Sequence, residues 1–108
     1  TDGELPADRL NLGTAELLRS AGPWGQGFPE PLFDGEFRVR DARIVGGHHL
    51  SCRLEPESGR PVPAILFGFG GGSAPVPGTR VHAVYRLDVN EWRGRRSLQL
   101  MVEQLEPC

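Results

Sequence analysis

The sequence contains no lysine; all 12 basic residues are arginine. Every cation is therefore a planar guanidinium, able to grip a phosphate with two hydrogen bonds or to stack on a base. Cysteine is nearly absent too. Cys52 and Cys108 cannot form a disulfide scaffold, which points to a reducing compartment and a cytoplasmic location. Cys52, in a stretch of alternating hydropathy, reads as a small core residue. The longest apolar run, Ala64 to Phe67, is far too short to span a membrane. No signal-peptide pattern opens the chain, and its first residue is Thr1 rather than Met, so a piece of a longer protein is expected.

Glycine and proline, by contrast, are abundant, at 15 and 10 of 108 residues, and favour short strands and turns over long helices. The length suits one domain with one core. Charge is unevenly spread. Residues 1–36 hold two arginines against seven acids, a net of −5, while residues 37–108 hold ten arginines against seven acids, a net of +3. The second part is the candidate for an anionic partner.

Residues 1–21 carry turn chemistry and then a short helix. Thr14 offers an N-cap, Ala15 to Arg19 are good helix formers, and Gly22-Pro23 stops the helix. Leu17, Leu18 and Ala21 are expected to share its buried face with Leu10. Residues 22–36 mix proline and glycine with Trp24, Phe28 and Phe33, and read as a strap packed onto a domain.

From Phe37 the period becomes two. Phe37 and Val39 face one way and Arg38 and Arg40 the other, and a bulge near Asp41 would bring Ala42 and Ile44 back into phase. Gly46-Gly47 makes a turn. Leu50, Cys52 and Leu54 form the buried side of a second strand. Pro63 to Phe69, apolar on both faces, suits a central third strand, and Gly70 to Gly78 is a flexible connection too poor in helix formers to hold a helix. Val81, Ala83, Tyr85, Leu87 and Val89 line a fourth strand, and Ser97 to Leu105 forms a fifth. The fold class is therefore all-β: residues 37–108 as a small five-stranded Greek-key, OB-like barrel preceded by a short helix and a strap, with an SH3-like barrel as the competing fold.

No catalytic constellation is visible. Gly70 to Ser73 lacks the Gly-Lys-Ser/Thr ending of a phosphate loop. His48 and His49 would point to opposite faces of a strand and, with His82, offer no metal-ligand spacing. What remains is a set of outward arginines around an aromatic. The tip between the fourth and fifth strands carries Trp92, Arg93, Arg95 and Arg96, and the strands add Arg38, Arg40, Arg53 and Arg86. A stacking plane with phosphate partners is what an unpaired nucleic-acid strand needs. Trp92 could equally plug the end of the barrel, while the phase of Tyr85 puts it inside.

GPWGQGFPEPLFDGEF (Gly22 to Phe37) and YRLDVNEWRGRRSLQLMVE (Tyr85 to Glu103) resemble the C-terminal OB-domain region of the RecJ family of single-strand-specific DNA exonucleases. The opening TDGEL and the helix after it resemble the tail of the preceding DHHA1 domain. Gly46-Gly47-His48 looks like that domain's GGH motif but lacks its alanine-rich continuation, and reads as a hairpin turn. The resemblance implies a 5′–3′ exonuclease of recombination and repair, with manganese or magnesium held in a DHH domain whose motifs this sequence lacks. It implies single-stranded DNA as a partner, along with the DHH and DHHA1 domains of the same chain and single-strand-binding protein or a helicase. The alternative is a structural or protein-interaction domain that clamps the catalytic core without strong DNA binding of its own.

Overall fold

The computed structural model describes residues 2–20, 30–70 and 73–108. Ala21, Gly22-Pro23, Trp24 and Phe28, to which a helix stop and a strap were assigned, lie outside these. Five strands close a barrel in the order β1-β2-β3-β5-β4: β1 is Phe33–Val45, β2 His49–Glu55, β3 Val62–Leu66, β4 Arg80–Trp92 and β5 Arg95–Pro107. Neighbouring strands are antiparallel except at the seam, where β3 meets β5 in parallel at Ala64↔Leu100 and Ile65↔Met101. That parallel closure is the OB order, and it decides against the SH3-like alternative.

The alternating positions fill the core as expected. Val39, Leu50, Leu54, Tyr85 and Leu100 are the largest fully buried side chains. Tyr85 meets Phe37 edge-on, with ring centroids 5.5 Å apart, and Phe33 at 6.1 Å. Burial pushes the Cys52 thiol up to about 11, in keeping with an inert core residue. The expected bulge is present: pairing of β1 with β2 slips between Val39 and Asp41, leaving Arg40 as the extra residue. A slip bends a strand, and it is the long β1 that must bend to border both β2 and β4.

Several boundaries move. β1 begins at Phe33, inside the stretch read as strap, because Phe33 to Arg38 pair with Tyr85 to Arg80 on β4. β3 ends at Leu66, and Phe67 is exposed. Among the described residues no helix lies between β3 and β4. β4 and β5 run further than expected, as a ladder paired down to Trp92↔Arg95. The turn is then only Arg93-Gly94, with φ of 50° and 77°. Two consecutive positive φ values define the type I′ turn that suits the twist of a two-stranded ribbon. Residues 90–97 are all exposed, so the ribbon's end stands clear of the barrel.

Helix α1, Leu12–Ser20, packs on β4 and β5 with Ala15 buried and Leu12 and Leu18 against the core. Two expectations are corrected here. The cap is Asn11 rather than Thr14, since Asn11 Oδ1 accepts the Thr14 N–H at 2.9 Å. Leu17 is 70% exposed, because Ala15 and Leu18 already fill the contact. Asn11→Ala is expected to cost about 1 kcal/mol and to lower the thermal midpoint by roughly 4–8 °C; an unchanged melt would rule out a capping role. Residues 2–4 lie along the start of β1, with Asp2 N–H donating to Leu32 O at 2.6 Å and Asp34 N–H donating to Gly3 O at 3.1 Å.

Candidate nucleic-acid interface

The candidate residues fall into three places. At the ribbon tip, alternation along the strands sorts the side chains. Trp92 and Arg95 are directly paired and share a face, with Asn90 and Ser97 behind them. Glu91 and Arg96 take the other face, where Arg96 Nη1 donates to Glu16 Oε2 of α1 at 2.9 Å. Arg96 thus ties the ribbon to the helix. Trp92 is 67% exposed and does not plug the barrel. The Arg93 guanidinium lies 5.4 Å from the Trp92 ring centroid, within cation–π range, so one ring face is braced. Arg93 is the only non-glycine among the described residues with positive φ. Such a conformation is unfavourable for a residue with a Cβ and is held here by the ladder below it. Among the described residues, Arg93 and Arg95 form no salt bridge.

The second place is the outer face of β1 and β2. Arg43 and Arg53, with Asp41, Ala42, Ser51, Cys52 and Pro63, line an open groove of about 360 Å³. Arg53 Nε donates to Asp41 Oδ2 at 2.8 Å, and a second guanidinium nitrogen contacts the same oxygen. That hydrogen bond holds the Asp41 carboxyl below its ordinary value. Arg43 has no such partner among the described residues. Arg40 reaches Glu55 at 3.4 Å. Arg38 sits at the barrel end in a cavity of about 300 Å³ shared with Glu36, Glu55, Glu57 and Arg80, a mixed-sign site that does not favour anions.

The third place holds Arg86 alone. It lies on β4, which borders β1 and β5 but neither β2 nor β3. Its Nη1 donates to Glu30 Oε2 at 2.6 Å, and its Nε is 2.9 Å from Glu103 Oε1, too far off line to count as a hydrogen bond. With two carboxylates around it, Arg86 has a structural role to perform before any ligand arrives.

One cluster was not read as a site from the sequence. Phe67 is 58% exposed, and the His49 ring meets it edge-on at 5.1 Å. His48, on a turn rather than a strand, brings its ring to 3.9 Å from that of His49. Among the described residues no group of three or more His, Cys, Asp or Glu is placed to hold a metal ion, and no helix is long and apolar enough to cross a membrane.

A closed five-stranded barrel in OB order, with an exposed tryptophan and arginines clear of acids on its β4–β5 ribbon, belongs to the class of OB-fold modules. The family described as the RecJ OB domain matches residues 1–104, and the chain belongs to that family. It is 51% identical over 109 residues to the single-stranded-DNA-specific exonuclease RecJ of Dickeya dadantii, and 46% identical over 109 residues to that of Escherichia coli. In both cases 99% of this chain is covered, but it spans only 19% of the relative's length. Among solved structures, RecJ of Thermus thermophilus in complex with Mg2+ superposes with a TM-score of 0.72 at 27% identity, over 96% of this chain and 16% of that one. A replication protein A heterotrimer bound to ssDNA shares the fold at 12% identity and a TM-score of 0.53, over 71% of this chain and 57% of that one.

Proposed function

We propose that this chain is the single-stranded-DNA-binding domain of a RecJ-type 5′–3′ exonuclease acting in DNA recombination and repair in the cytoplasm. The observation that carries the reading is the ribbon tip. An exposed indole braced by Arg93, with Arg95 beside it, offers a base a stacking plane and a phosphate two uncommitted guanidinium groups. Arg53 and Arg43 would continue the contact along the β1–β2 groove. Arg38, Arg40, Arg86 and Arg96 would contribute mainly to the field, since acids already surround or bind them. Hydrolysis would take place in domains beyond these residues, using the manganese or magnesium that the Thermus relatives are described as binding. Residues 1–21 would form the junction with a preceding DHHA1 domain.

A fluorescence-anisotropy titration of the chain against a short oligonucleotide tests this. Binding is expected to favour single strands over duplex, because stacking needs unpaired bases, and to weaken steeply as salt rises. Equal affinity for both forms, or no binding at low salt, rejects the proposal. The exposed Leu17 on α1 favours a second reading, in which the domain docks onto the catalytic core and has negligible DNA affinity alone.

A further inference from the structure

We infer that Phe67 and His49 form a second stacking platform for an unpaired nucleobase, at the opposite end of the β2–β3 face from the ribbon tip. The inference rests on the single-strand-binding reading above and deepens it.

Phe67 follows the last residue of β3 and is 58% exposed, so the core does not use its ring. Yet the ring has a fixed neighbour. Gly68 N–H donates to His49 Nδ1 at 3.0 Å, and Gly70 N–H donates to His48 O at 3.3 Å. Both glycines have positive φ, 68° and 91°, which lets the chain fold back onto the β1–β2 turn. As an acceptor, Nδ1 must be unprotonated, so the neutral His49 ring carries its proton on Nε2. The ring is thereby oriented edge-on to Phe67, at 79° between planes. The same hydrogen bond occupies the Nδ1 lone pair, which argues against metal binding through that nitrogen. An exposed aromatic face, held in place, is what stacking on a base requires.

The strand register sets the distance to the tip. Leu50 pairs with Leu66 at one end of the β2–β3 ladder and Leu54 with Val62 at the other. β5 runs parallel to β3 with Ala64 opposite Leu100, so Arg95 lies beyond the Val62 end. Phe67 and Arg95 are therefore eight residue levels apart, about 26 Å along the strand direction at ~3.3 Å per residue. Arg43, Arg53 and Ser51 line the groove on the adjoining β1–β2 surface. A strand bridging the two aromatic ends would cross positive charge, within the footprint of about 4–16 nucleotides typical of one such barrel.

The test is anisotropy titration of the 108-residue chain and its variants with an oligothymidylate of about 12 nucleotides, a length within that footprint. The same backbone carrying abasic sites serves as the control. Phe67→Ala is expected to weaken oligothymidylate binding about 5- to 150-fold, with the salt dependence unchanged because no phosphate contact is lost. The abasic strand should bind the wild-type chain weakly and be indifferent to Phe67→Ala. Phe67→Trp should retain affinity and show a change of emission on binding beyond that of the wild-type chain. If the wild-type chain binds the oligothymidylate and Phe67→Ala binds it equally well, the platform is refuted and the single-strand reading stands; a Phe67 face that packs on another protein surface would give this result. If the wild-type chain fails to bind, both fall. Should Phe67→Ala lose its far-UV circular dichroism, Phe67→Trp decides, and an emission unmoved by DNA overturns the platform.

Discussion

Arg93→Ala combined with Arg95→Ala is expected to weaken single-stranded-DNA binding by roughly 10- to 100-fold at low salt, the scale of losing hydrogen bonds to charged groups. The slope of log affinity against log salt should fall in magnitude by about 1.4, since each phosphate contact on a single strand contributes ~0.7. Among the described residues neither guanidinium group meets an acid, so their removal leaves no carboxylate unpaired and the fold should be unaffected. Arg96→Ala separates this from a general charge effect. It removes the same kind of charge from the same hairpin, but its partner is Glu16 on α1. It should leave the affinity much closer to wild type while loosening the helix, as read by hydrogen exchange in residues 12–20. An Arg96→Ala loss equal, per charge removed, to that of the double variant would mean that net charge, not the outward face of the ribbon, governs binding.

Tyr85→Ala is expected to destabilise the barrel by about 3–5 kcal/mol, as for other large aromatics removed from a core. Tyr85 is 1% exposed and joins Phe33 and Phe37 in one aromatic cluster on paired strands, so its loss opens a cavity that several elements share. Chemical denaturation of the variant and of Leu17→Ala compares the effect with that of an exposed residue; similar midpoints would contradict the packing. The same residue gives a dependence on pH. Burial, with Asp34 and Glu4 nearby, pushes the Tyr85 hydroxyl up to about 12 from its ordinary 10. The folded chain therefore holds this proton more tightly than the unfolded chain. Its contribution is fully present below pH 10 and is lost as pH rises from about 10 to 12. Tyr85→Phe should flatten that alkaline loss.

The barrel was legible wherever one side of a strand faces the core. Leu50-Cys52-Leu54 and Val81 to Val89 alternate because burial imposes the period, and the slip at Arg40 shows as a break in phase. The ribbon was shortened because Asn90, Glu91, Arg95 and Arg96 stand off the core, where both faces meet water and no period is imposed. Helix α1 began one turn late because Asn11 and Thr14 are both competent caps, and only the geometry chooses between them. The pairing of the arginines was illegible for another reason. Glu16 and Arg96 are 80 residues apart, and Glu30 and Arg86 are 56 apart, so the chain order says nothing about their meeting. Phe67 sits in an apolar run, yet its ring stays outside the core against which Leu66 and Phe69, on either side of it, both pack.

The β4–β5 ladder joins twelve residue pairs, whereas the parallel seam between β3 and β5 joins two. A pull at the ribbon tip along the strands draws β4 and β5 the same way, so their mutual ladder is not sheared and the load passes to β1 through six pairs with β4 and to β3 through the two-pair seam with β5. The Arg96–Glu16 contact adds a stay to the helix on one side. The ribbon is thus one arm seated broadly on β1 and narrowly on β3, so under such a pull the two-pair seam is the joint that gives first.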